Sequence, residues 1–133
     1  MRWYLDSSVA LHAILPGGDR TARGWLDAVR SCAGEVHSST LLYLELARVL
    51  RRENLDPRLA RLVLDRVEQV SIDDGVLRFA ASIEPHVKAL DAIHLATCLL
   101  LGSGVTVATH DAAMREAAAL LGLDAVDPLA SGG

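Results

Sequence analysis

The stretch Val105-Thr106-Val107-Ala108-Thr109, followed at once by His110-Asp111 and the run Ala112–Leu121, decides the fold class. Val and Thr suit a buried strand and Ala and Leu suit a helix, so it reads as a short strand feeding a helix. Gly102 and Gly104 before the strand and Gly122 after the helix punctuate the unit. Just upstream, Leu90–Leu101 is apolar on every side, the pattern of a buried central helix. The chain opens on a second candidate buried strand, Arg2–Leu5. Thr21–Cys32 has helical spacing at Trp25, Leu26 and Val29. Gly34–Ser38 is a brief strand, with Ser38 or Ser39 placed to cap a helix from about Thr40 to Glu53. Pro57 suits the first position of a helix running to about Glu68. Val70-Ser71-Ile72 is a further strand candidate, and Asp73 or Asp74 caps a helix to about Ile83, ended by Pro85. Ala125-Val126 adds a last edge strand. Short apolar strands alternating with helices predict an α/β fold with a parallel sheet covered on both faces.

Composition agrees. The chain has 133 residues, 51% hydrophobic and 23% charged, which fits one domain and excludes a disordered tail. Twenty Ala and 23 Leu against one Phe, two Tyr and two Trp argue against a β-sandwich. The net charge of −4 excludes a wholly basic nucleic-acid coat but leaves local basic patches open. No apolar run reaches the roughly 18–20 residues of a membrane span; the longest, Ile93–Leu101, is interrupted by His94 and Thr97. Asp6 follows the start too closely for a signal peptide. Cys32 and Cys98 lie far apart and outside any CxxC spacing, so a reducing cytoplasm is the expected compartment. There is no repeat or internal linker: residues 1–129 read as one domain and Ala130–Gly133 as a loose tail.

The acids carry the chemistry. In an open parallel sheet, ligands bind beyond the carboxyl ends of the strands, where strand order reverses. Asp6 follows the first strand directly and Asp111 lies two residues beyond Thr109, so both enter one crevice if their strands flank the reversal. Each reads equally well as a helix cap. Asp91 opens the apolar helix, again as a cap or as a carboxylate needing a partner, with only Lys88 near it. Glu45 sits mid-helix, about 40° from Leu41 and Val49 and about 60° from Leu42 on a helical wheel. It shares the edge of the inward face, or else pairs with Arg48 at the surface. Four acids in one crevice repel unless a divalent cation sits among them, and all-oxygen ligands favour Mg²⁺ or Mn²⁺ over zinc. Such a site suits phosphodiester hydrolysis, through an acidified water and a stabilised leaving oxygen.

These residues also carry a resemblance. Asp6-Ser7-Ser8 resembles the opening D-[ST]-[SN] of PIN-domain ribonucleases, and Glu45 within Tyr43-Leu44-Glu45-Leu46-Ala47-Arg48 is similar to their mid-chain glutamate. Leu90-Asp91-Ala92-Ile93-His94-Leu95-Ala96 resembles their D-A-x-x-x-A block, and Thr109-His110-Asp111 their terminal T-x-D. Order, spacing and length resemble the VapC toxins of bacterial toxin–antitoxin pairs across nearly the whole chain. The resemblance implies a single PIN-like domain with a five-stranded parallel sheet and a metal-dependent endoribonuclease toxin. Asp6, Glu45, Asp91 and Asp111 would be its catalytic and metal-binding residues, with Mg²⁺ or Mn²⁺ as cofactor. It further implies a homodimer and a cognate VapB-type antitoxin that covers the site. One departure stands out. Some relatives carry another acid soon after T-x-D, whereas here Ala112, Ala113 and Met114 follow and the next is Glu116, which favours one metal over two.

Around the acids, Ser8 and Thr109 read as hydroxyls serving the first carboxylate, a metal water or the substrate, or as turn and cap residues. Arg48 and Arg52 lie within roughly 60° of Glu45 and are candidate phosphate clamps, or part of a solvated face. Arg51, Arg58, Arg61 and Arg66 extend the basic stretch. Most aromatic residues read as core, so RNA would be held by phosphates, shape and metal rather than by stacking. His94, in an apolar helix, reads as a satisfied core residue. A histidine zinc site, a Ser-His-Asp centre and a nucleotide-binding loop all lack their spacing. A receiver-type phosphoacceptor wants paired acids and a late lysine, which this chain lacks. The remaining alternative is an inert PIN-like dimerisation or partner-binding module whose acids serve only as caps.

Overall fold

Successive residues of a strand face opposite sides of its sheet, and β1 (Arg2–Leu5) uses this to join two apolar layers, Tyr4 packing into one and Leu5 into the other. In the computed structural model, which describes residues 1–130, β2 (Glu35–Ser39), β3 (Glu68–Val70), β4 (Val105–Ala108) and β5 (Asp124–Val126) run parallel to β1. Their order is β3-β2-β1-β4-β5. The chain winds outward from β1 to β3 and then returns to β4 on its other side, so strand order reverses between β1 and β4.

The helices are α1 (Ser7–Ile14), α2 (Arg20–Ser31), α3 (Leu41–Arg52), α4 (Arg61–Leu64, entered through a 3₁₀ turn over Pro57–Ala60), α5 (Asp74–Ser82), α6 (Ala89–Leu100) and α7 (Ala112–Leu120). Val9 and Ile14 of α1, Leu26 of α2, Leu42, Leu46 and Leu50 of α3 and Val63 of α4 pack with Leu5 and Val36 on one face. Leu95 and Cys98 of α6 and Met114 and Ala118 of α7 pack with Tyr4, Val105 and Val107 on the other. The five-stranded parallel sheet with helices on both faces is the α/β architecture expected. Local signals hold too: Ser39 Oγ accepts from the Leu41 amide, Asp73 accepts from the Val76 amide, and Gly122 closes α7 at a φ of +79°.

Several boundaries differ from the sequence reading. The segment after Pro57 stays helical only to Leu64, and β3 forms at Glu68–Val70 rather than at 70–72. Hydrogen bonding to β2 at Glu68, Gln69 and Val70 sets that strand, and pairing of this kind is invisible in a short polar run. α6 is enclosed only from His94 to Cys98, more than a full turn covered on every side; Leu90 and Leu100, at its two ends, lie beyond that enclosed turn and are exposed. Tyr43 and Leu44 are also exposed, since α3 turns Leu42 and Leu46 inward. Of the tail expected at Ala130–Gly133, only Ala130 is among the described residues, and it is exposed. None of the described helices is long and apolar enough to cross a membrane.

The two faces of α3 give a direct check. Leu46→Ala empties a fully buried site and is expected to cost about 2–5 kcal/mol. Arg51→Ala, on the exposed face, should stay within about 0.5 kcal/mol. Urea midpoints of the two variants measure the difference.

Candidate active site

Asp6 ends β1, and its amide continues the β1–β4 pairing by donating to the Ala108 carbonyl at 3.0 Å. Although it stands at the N-cap position of α1, its side chain makes no capping bond. Its Oδ2 instead accepts from Ser8 Oγ at 2.6 Å and Thr109 Oγ1 at 2.7 Å. The His110 amide donates to Ser8 Oγ and the Asp111 amide to Thr109 Oγ1. Two backbone amides thus polarise two hydroxyls toward one carboxylate only 4% exposed. A buried carboxylate is costly without such partners. Both Ser8 and Thr109 therefore hold Asp6, whatever else they do.

Glu45 emerges from the middle of α3 with its side chain 19% exposed. It does not pair with Arg48. Its Oε1 lies 2.6 Å from His94 Nε2, and its Oε2 accepts from Ser7 Oγ at 3.2 Å. Asp91 occupies the first turn of α6, three residues past the N-cap Lys88, so it is not the cap that position in the sequence allowed. It is half-buried. Burial first, then the charges of Asp6, Asp111 and Glu45, push its carboxyl above the ordinary range, offset in part by the His94 ring. Asp111 does cap α7, its Oδ1 accepting from the Ala113 and Met114 amides.

The four acids thus share one field at the carboxyl ends of β1 and β4. Each of Asp6, Glu45 and Asp111 is turned to its own hydrogen-bond donors. As they stand, no three His, Cys, Asp or Glu side chains among the described residues are grouped tightly enough to hold a metal ion. The donor chemistry nevertheless fits a hard divalent cation: the ligands are all oxygen, and the repulsion on Asp91 is what a cation relieves.

Other residues divide. Arg48 and Arg52 are exposed on α3, and Arg52 pairs with its neighbour Glu53. Glu116 is exposed on α7. Asp127, just past β5, comes within 2.9 Å of His110 Nδ1 and 3.5 Å of Arg115. Burial pushes its carboxyl up, but the Leu129 amide, His110 and Arg115 together hold it below the ordinary range. It is an acid whose hydrogen-bond partners are already in place. Sequence reasoning missed Asp127, Ser7 and the partners of His94. Only the mid-helix acid opposite an apolar helix bearing one histidine hinted at the last.

A family model described as PIN domain matches residues 3–120. The chain is 35% identical over 131 residues to Ribonuclease VapC46 of Mycobacterium tuberculosis, covering 94% of this chain and 96% of that one. It is 34% identical over 116 residues to Ribonuclease VapC35 of the same species, covering 83% and 77%. Among solved structures, VapBC2 from Rickettsia felis bound to a promoter DNA fragment superposes with a TM-score of 0.74 at 11% identity, over 96% of this chain and 98% of that one. At that identity the likeness shows the fold.

The strain on Asp91 has a measurable sign. A carboxyl raised in the folded state binds more protons there than in the unfolded chain, so its stabilising contribution is complete below the unfolded value, about 4, and is lost as pH climbs through the folded value. In chelator, Asp91→Asn should therefore melt above the parent at pH 7. The gap should close by about pH 3, below both values; thermal melts at the two pH values read it.

Proposed function

The chain belongs to the PIN-domain family, and from that premise we propose that it is a metal-dependent endoribonuclease, the toxin of a toxin–antitoxin pair. The observation that carries the reading is Asp91, whose carboxyl is raised first by burial and then by the charges of Asp6, Asp111 and Glu45 that meet on it. Asp6, Asp91 and Asp111 would hold Mg²⁺ or Mn²⁺, with Glu45 joining directly or through water. When bound, such an ion supplies an acidified water and charge stabilisation for the leaving oxygen. The chain's own part is positioning. Ser8 and Thr109 keep the Asp6 carboxyl aimed, and Asp111 would join from the N-cap of α7. Arg48 and Arg52 would meet phosphates from the exposed face of α3. The names of the 35% and 34% identical relatives support ribonuclease activity.

The toxin–antitoxin reading draws support from the VapC names and the VapBC fold match. A groove of about 570 Å³ opens beside Ser8 and His110, walled by Leu11, Leu15 and Leu55. An apolar segment of a VapB-type antitoxin lying there would cover the acids. Tyr43 and Leu44, 57% and 51% exposed on α3, are the surface we assign to a homodimer, and the working compartment is the cytoplasm.

Partner-free protein is expected to cut RNA with Mn²⁺ or Mg²⁺ and to stop in chelator. Asp6→Asn should lose cleavage. Calorimetry should find Mn²⁺ bound by the parent, and absent binding by folded protein would overturn the reading in favour of an inert partner-binding module. Arg48→Ala and Arg52→Ala should each weaken RNA binding and flatten its salt dependence, with metal affinity kept. An unchanged slope in both returns these arginines to the solvated surface.

A further inference from the structure

Tyr4 on β1, His94 on α6 and Glu45 on α3 form one continuous line of hydrogen bonds. The Tyr4 hydroxyl lies 2.7 Å from His94 Nδ1, and His94 Nε2 lies 2.6 Å from Glu45 Oε1. The first two side chains are wholly enclosed, and only Glu45 reaches the crevice. A buried imidazole needs both ring nitrogens satisfied, and in its neutral form one donates and the other accepts. The phenol decides which. It carries its proton at neutral pH and has His94 Nδ1 as an acceptor at 2.7 Å, while the opposite ring nitrogen faces the acceptor-only carboxylate of Glu45 at 2.6 Å and must donate to it. The Tyr4 proton therefore points at Nδ1, which leaves the ring proton on Nε2, directed at Glu45.

We propose that Tyr4 and His94 are positioning residues: the phenol selects the Nε2–H tautomer of His94, and that N–H fixes the carboxylate of Glu45 at the crevice. The inference rests on the ribonuclease reading for its purpose. A glutamate on a helix face rotates about three bonds, and a fixed carboxylate costs less ordering when it engages its ligand. Here Oε1 is held by His94 and Oε2 by Ser7, which sets both the position and the plane of the group. His94 is 0% exposed, so it cannot touch RNA and acts only through Glu45. Groups that orient a metal-binding side chain in this way typically change affinity or activity about 10–100-fold when removed.

Long-range proton–nitrogen NMR on histidine-labelled, metal-free protein should find His94 in the Nε2–H form. Tyr4→Phe keeps the ring in the core but loses the proton that selects the tautomer. It should show a tautomer mixture and lower kcat by about tenfold, with KM unchanged. His94→Phe removes the donor and should lower kcat and Mn²⁺ affinity further, whereas His94→Gln, which keeps an N–H donor, should recover part of both. If His94→Phe fails to fold, the NMR result and Tyr4→Phe still decide. A parent that cleaves RNA yet shows an Nδ1–H ring or an imidazolium overturns the relay alone. So does a Tyr4→Phe variant that folds with either the tautomer or the kinetics unmoved, or a His94→Phe variant that folds with parental kinetics. A parent that neither binds Mn²⁺ nor cleaves RNA overturns the ribonuclease reading and the relay's purpose with it, whatever its tautomer.

Discussion

The parallel pairing of β1 with β4 places the end of one strand beside the end of another that is a hundred residues away in the chain, and the rest of the site depends on it. The bond from the Asp6 amide to the Ala108 carbonyl is its last rung. One step further, Thr109 Oγ1 meets the Asp6 carboxylate. Without that adjacency Asp6 would be a buried charge with a single local hydroxyl, which a protein interior does not tolerate cheaply. With it, the amides of His110 and Asp111 are drawn into the same network through Ser8 and Thr109.

The four acids are not equivalent, because their surroundings differ. Asp6 is ringed by donors. Asp111 caps a helix through its Oδ1. Glu45 is clamped from both sides. On Asp91, burial and then the charges of Asp6, Asp111 and Glu45 raise the carboxyl. Asp127, close by, illustrates the contrast: despite burial, the Leu129 amide, His110 and Arg115 hold its carboxyl below the ordinary range.

The strand-and-helix alternation was legible because it depends on local properties. The β-branched Val105–Thr109, the serine and aspartate caps and the glycine stops each act within a few residues. So was the set of acids, since Asp6 and Asp111 sit where chain direction changes and Glu45 sits among leucines. Whether a given aspartate caps was not legible, because capping and ligation place the same residue at the same position. The structure separates them: Asp111 caps, Asp6 does not, and Asp91 lies within the first helical turn.

By itself, the sequence determined the α/β class, the motif order that marks the family and the candidate acids, all of which follow from residue type and short-range spacing. Only the tertiary structure decided that β3 forms at Glu68–Val70, that both ends of α6 stay exposed, and that His94 joins Tyr4 to Glu45. The last outcome turns on surfaces that meet across sequence separations of 49 and 90 residues. A histidine on an apolar helix reads the same whether its partners are a backbone carbonyl or a carboxylate, and only packing brings the partner within reach of the ring nitrogens.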